Sequence, residues 1–120
     1  MEGDNLLNID IEFHKGILFV RLAGVLNKNT VEKMNEEVTS LISDNGVRNI
    51  VFNINDLDSI DYYGINTLLH NYEICRNNKG KILVCGLNNI LVKKRINKSR
   101  LLNYMYETTD ELTAMNVINS

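Results

Sequence analysis

Apolar residues along this chain switch between a period of two and a period near 3.6, and the switches divide it into short elements. Ile9, Ile11 and Phe13 alternate with polar residues, which predicts a strand over 7–13. His14-Lys15-Gly16 supplies a turn, and the apolar run over 17–22 predicts a second strand, so the pair reads as a hairpin. From Thr30 to Asp44 the period lengthens. Val31, Met34, Val38, Leu41 and Ile42 share one helical face, with Glu32, Lys33, Glu36 and Glu37 largely off it. Asn45-Gly46 ends that helix, because both residues accept left-handed backbone. A strand is expected over 49–55, with Ile50, Phe52 and Ile54 on one face and Val51, Asn53 and Asn55 on the other.

A second amphipathic helix is predicted over 64–77 through Ile65, Leu68, Leu69 and Tyr72, closed by Asn78-Lys79-Gly80. Lys81 to Cys85 reads as a buried strand, 88–98 as a short helix, and 102–106 as a last short strand. Thr108-x-x-Glu111 resembles a capping box that opens a final helix through Leu112 and Met115. The order β-β-α-β-α-β-α-β-α requires parallel strands with right-handed crossovers, entered by a hairpin, and defines an α/β class. The mixed polar and apolar second face of the 49–55 strand predicts a sheet covered mainly on one side.

Composition narrows the function. The chain has 120 residues, which suits one domain over 1–120 with its own core. Its net charge of -2 gives no bulk attraction to nucleic acid or a membrane surface. No apolar run approaches the ~20 residues of a spanning helix. The start, MEGDNLLNID, lacks the pattern of a secretory leader, so the expected location is the cytoplasm. Cys75 and Cys85 are too few and too isolated for a disulfide framework or a zinc site, and read as a small helix residue and a buried strand residue.

Catalytic constellations are missing from the pattern. The seven glycines never adopt phosphate-loop or dinucleotide spacing. His14 falls in a turn and His70 on a helix with no shared motif, so both read as surface residues. Asp56, Asp58 and Asp61 invite a metal reading, but the rest of a calcium loop does not follow, and solvated acids are the simpler account. No cofactor, metal or catalytic residue is expected. What remains is the stretch Asn55 to Ile65, at the carboxyl end of a parallel strand, where open α/β sheets place their functional surfaces. The helix start there adds unpaired N–H groups and a positive dipole end.

Taken in order, these segments resemble a STAS domain of the anti-sigma-factor antagonist type. Arg21-Leu22-Ala23-Gly24-Val25-Leu26-Asn27, followed by Thr30, is similar to the strand–turn pattern of that family. Asn49 to Ile54 fits its central strand, Asp56 to Ile65 its signature loop, and Lys79 to Leu87 the strand that follows. The resemblance implies a mixed sheet with helices mainly on one face and a non-catalytic role. In bacterial antagonists the loop and the helix after it dock onto an anti-sigma factor, often a serine kinase, and release a sigma factor. That kinase phosphorylates a Ser or Thr just before the loop glycine, and the phosphate weakens docking.

At that point the chain departs from the pattern. Where the family reads Asp-Ser-Ser-Gly or Asp-Ser-Thr-Gly, this sequence reads Asp61-Tyr62-Tyr63-Gly64, so Tyr63 stands at the acceptor position. A phenol holds its hydroxyl far from the backbone, which does not suit a serine-kinase site. Asn27 replaces the usual aspartate. The resemblance therefore implies docking through Asn27, Asp61, Tyr62, Tyr63, Gly64, Ile65 and Asn66 without the serine switch, with Ser59 the nearest substitute acceptor. Lys93, Lys94, Arg95, Lys98 and Arg100 form a second departure, a basic patch in a net acidic chain. A solvated helix face accounts for it most simply. An acidic protein partner is the sharper alternative, and nucleic acid is disfavoured because no aromatic platform accompanies the charges. The expected partner is an anti-sigma factor or a serine-kinase-like regulator, with self-association left open. An accessory subunit of a membrane transporter, or a scaffold in a sensory assembly, are the alternatives.

Overall fold

In the computed structural model, which describes residues 6–120, the period-two segments form one five-stranded sheet. Its strands are β1 (Leu7–His14), β2 (Ile17–Leu26), β3 (Asn49–Ile60), β4 (Ile82–Cys85) and β5 (Tyr106–Thr108), and they lie side by side in that order. Only β1 and β2 are antiparallel; β2 to β5 all run parallel. The hairpin turns on Lys15 and Gly16, both at positive φ, a geometry that matches the twist of the strands it joins.

Four helical segments connect the strands. The first, α1, runs without a break through Val31–Met34, a π-helical turn at Asn35–Thr39, and Ser40–Asn45. It ends where Gly46 takes a left-handed φ of 60°. Helix α2 spans Tyr62–Asn77, α3 spans Ile90–Lys98 and α4 spans Glu111–Asn119. The left-handed residue after α2 is Lys79, not the glycine beside it. Gly80 is needed for space instead, since a Cβ there would run into the Arg48 carbonyl.

The sheet separates two cores. Leu18, Val20, Leu22, Ile50, Phe52 and Ile54 point towards α1, α2 and α3, and all are buried. On the opposite face Ile17, Phe19, Val51, Leu83 and Cys85 meet Ala114 of α4, with Met115, Val117 and Ile118 packed beside them. The expectation of a sheet covered mainly on one side is therefore met, and α4 alone covers part of the other.

Several expected boundaries shift. Strand β3 does not stop at Asn55. It continues to Ile60 because its upper half pairs with β2, through Ala23↔Asp56 to Leu26↔Ile60, with register irregularities between Arg21 and Ala23 and between Gly24 and Val25. Gly24, at φ 100°, sits in this stretch, and a Cβ on it would lie 2.5 Å from the Leu6 carbonyl oxygen. The expected strand over 102–106 is instead a 3₁₀ turn, Leu101–Asn103, followed by β5. The capping residue of α4 is Asp110, which accepts from the Thr113 N–H, and not Thr108. Leu112 points to solvent, and Phe13, near the hairpin tip, is 64% exposed rather than a core residue.

Candidate functional site

The strands β2 and β3 end together at Leu26 and Ile60, and the chain segments that leave them are tied to each other. Asp61 is the tie. Its backbone N–H donates to the Leu26 carbonyl at 3.2 Å. Its Oδ1 accepts from the Gly64 N–H at 2.9 Å, capping α2, and its Oδ2 accepts from the Lys28 N–H at 3.0 Å. One carboxylate thus fixes both the start of α2 and the turn after β2.

Gly64 completes the junction by being small. A Cβ at this position would lie 2.5 Å from the Leu26 carbonyl oxygen and 2.7 Å from Ile60 Cγ1. The first turn of α2 can approach the strand ends only because nothing occupies that space. Tyr62 and Tyr63, which the sequence placed in a loop before the helix, are its first two residues. Both stand outwards, 70% and 48% exposed. Their rings meet edge to face at 6.0 Å, and the Lys28 ammonium lies 5.9 Å from the Tyr63 ring.

Of the other residues expected here, Asn66 is exposed, while Gly64 and Ile65 are buried. These two support the surface from beneath. Asn27 shapes the adjoining turn. Its Oδ1 accepts from the Asn29 N–H at 2.9 Å, and its own N–H donates to Thr30 Oγ1 at 2.9 Å. Thr30 is buried and its hydroxyl donates to the Val25 carbonyl at 2.8 Å. An aspartate at 27 would make the same turn, so the asparagine changes the charge of the surface and not its shape.

The basic residues are only partly brought together. Lys94, Arg95 and Lys98 line a cleft of about 260 Å³ with Leu91, Ser59 and Ile60. Lys93 and Arg100 are exposed outside that lining. Ser59 and Ile60 are the residues immediately before Asp61, so the cleft adjoins the tyrosine-bearing helix start. Along the sequence Ser59 belongs to the loop and the cations form a separate patch. The missing link is the length of β3: β4 stops opposite Asn53, and α3 packs beside the part of β3 that continues.

A larger cleft, about 760 Å³, opens at the other end of the sheet between the hairpin tip and the end of α1, through Phe13, Leu18, Leu41, Val47 and Arg48. Catalytic features are not assembled. His14 and His70 are exposed on separate elements. Among the described residues no group of three or more His, Cys, Asp or Glu is placed to hold a metal. Cys75 and Cys85 are free, buried thiols, each pushed up to about 12 by burial, which leaves them protonated and unreactive. Among the described residues no helix is long and apolar enough to cross a membrane.

The chain is an α/β domain whose sheet is entered by a hairpin and whose acid-capped helix presents its first turn at the strand ends. The STAS domain profile matches residues 8–114, and the chain belongs to that family. It is 29% identical over 82 residues to an anti-sigma F factor antagonist of Paenibacillus polymyxa, covering 68% of this chain and 70% of that one. The fold is similar to that of an anti-sigma factor antagonist from Mycobacterium paratuberculosis, with a TM-score of 0.82, 14% identity and 97% of each chain covered. It is also similar to the phosphorylated form of the Bacillus cell fate determinant SpoIIAA, with a TM-score of 0.70 and 20% identity over 93% of this chain and 99% of that one. The chain is thus a STAS domain similar in sequence to an anti-sigma F factor antagonist.

Proposed function

We propose that this protein docks onto an anti-sigma factor, or a related serine-kinase-like regulator, through the first turn of α2, and does so without a serine phosphorylation switch. The observation that carries the reading is the presentation of Tyr62 and Tyr63. Two large, rigid, amphipathic side chains stand exposed on a helix start that Asp61 and Gly64 hold in place. Tyrosine at such a position contributes contact area at low conformational cost. The likeness to an anti-sigma F factor antagonist supplies the class of partner.

Tyr63 stands where the family carries its phospho-acceptor. The Lys28 ammonium lies over its ring, and a phenol by its length carries the hydroxyl well away from where a serine hydroxyl would sit. Docking is then constitutive with respect to serine phosphorylation of this chain. The test is a binding titration against the anti-sigma factor encoded in the same genome. Alanine at Tyr62 and Tyr63 together is expected to weaken binding by on the order of a hundredfold, since interface tyrosines are frequent hot spots. Unchanged affinity in that double variant overturns the docking surface.

A further inference from the structure

We infer that the cleft between the end of β3 and α3 receives an acidic, leucine-bearing peptide segment of the docking partner. The proposal rests on the docking reading above and extends it to a second contact of stated chemistry.

The cleft holds three positive side chains, from Lys94, Arg95 and Lys98, and no carboxylate lines it. None of the three makes an ion pair among the described residues, although the chain as a whole is acidic. Placement near the C-terminal end of α3 gives Arg95 and Lys98 some benefit from the helix dipole. That benefit does not explain the rest of the cleft. Lys94 and Lys98 are four apart on one helix, a like-charge pair that is unfavourable by itself. Leu91 continues the same face one turn earlier and is 68% exposed, while Ile90 before it is 75% exposed. Val92 and Ile96, on the opposite face, already anchor α3 to the core, so neither exposed residue is needed for packing.

An apolar ledge beside uncompensated cations matches a ligand that is both acidic and apolar. The three charges lie within about one Debye length of one another at ionic strengths near 0.1 M, so they act on an approaching acidic segment together. Ser59 adds an exposed hydroxyl that makes no hydrogen bond within the described protein. Ser59 and Ile60 of the cleft immediately precede Asp61 and the two tyrosines in the chain, so one partner can span both.

The test uses the full chain, labelled with ¹⁵N and titrated with a short synthetic peptide of glutamates interrupted by leucines. Parallel titrations use the same peptide with glutamine for glutamate, and inorganic phosphate. The glutamate peptide is expected to shift the amide signals of Ser59, Ile60, Leu91, Lys94, Arg95 and Lys98, with affinity falling as salt rises. The double variant Lys94→Glu, Arg95→Glu is expected to lose about tenfold or more in affinity and most of the salt dependence. Both positions are exposed, so the fold should be kept, and circular dichroism checks this. Equal binding of the glutamine peptide, equal shifts from phosphate alone, or unchanged binding by the double variant would each overturn the proposal. The two readings are separable with the anti-sigma factor itself. If the tyrosine variant loses binding while the charge-reversed variant keeps both affinity and salt dependence, the cleft fails and the loop stands. The opposite pattern fails the loop and keeps the cleft.

Discussion

Asp61, Gly64 and Tyr63 divide the work of the helix start, and each can be tested singly. Asp61→Ala removes the cap of α2 and the bond to the Lys28 N–H, with an expected loss of about 1–2 kcal/mol in urea unfolding. Gly64→Ala sets two effects against each other. Alanine is the better helix former by about 1 kcal/mol. Its methyl would also press on a backbone carbonyl and on Ile60, and overpacking typically costs about 1–3 kcal/mol. The carbonyl belongs to Leu26, which is already fixed by the Asp61 N–H, so it cannot yield cheaply. A net destabilisation is expected, and an unchanged or raised unfolding midpoint would show that the junction gives way. Tyr63→Ser tests the proposed loss of the switch, since it puts a short hydroxyl at the position proposed for the acceptor, with Asp61 and Gly64 still in place. Incubation with the cognate serine kinase and ATP is expected to add one phosphate to this variant and none to the parent, read by mass spectrometry. Phosphate on Tyr63 or Ser59 of the parent would refute the loss of the switch.

Among the elements, α4 is held differently from the others. Arg21, on β2, donates from Nε to Glu111 at 2.8 Å and is also paired with Asp10 and Glu12 on β1; Asn53 of β3 donates to the same Glu111 carboxylate. Arg21 and, to a lesser degree, Asn53 hold the Glu111 carboxyl below its usual value. A lowered carboxyl contributes stability that is fully present above the unfolded value, about 4.3, and is lost as pH falls through the folded one. Glu111→Gln should therefore cost on the order of 1 kcal/mol near pH 7, with the gap to the parent closing below about pH 4. A gap independent of pH would mean that the carboxylate charge is not what docks α4. This clamp was not legible beforehand. Thr108-x-x-Glu111 suggested a capping box, yet Glu111 faces the sheet and Asp110 does the capping, because partners on distant strands outbid the local motif. Where burial followed a simple period the sequence sufficed, as in α1 through Met34, Val38 and Ile42. In α2 it misled, since the fully buried positions include Asn71 and Cys75, while Leu69 and Tyr72 are only partly buried. Asn71 satisfies its amide N–H locally, on the Thr67 carbonyl at 2.7 Å, which hydropathy does not register. The candidate loop was found from its order of residues, but its contact with the basic cleft depends on β3 outrunning β4, a pairing no local pattern encodes.

For the molecule as a whole, the sheet makes two cores of unequal weight, and the two cysteines report on them separately. Cys75 belongs to the larger core beneath α1, α2 and α3. Cys85 belongs to the smaller one, where the cover is α4, a nine-residue helix at the end of the described chain. That helix is lightly held: Ala114 is its one fully buried side chain, Met115, Val117 and Ile118 are only partly buried, and the Glu111 clamp is partly exposed to solvent. Segments with few buried contacts open at lower free energy than the global transition. Thiol labelling in the presence of low urea should therefore modify Cys85 before Cys75. Both thiols are pushed up to about 12 while buried, so modification of either reports opening and not intrinsic reactivity. Glu111→Gln should widen the interval by loosening α4 while leaving the Cys75 rate tied to global unfolding. If the two cysteines label together at every urea concentration, and the variant moves both rates equally, then α4 unfolds with the main core. In that case the two faces of the sheet form one cooperative unit, and the start of α2 proposed for docking feels every change made at α4.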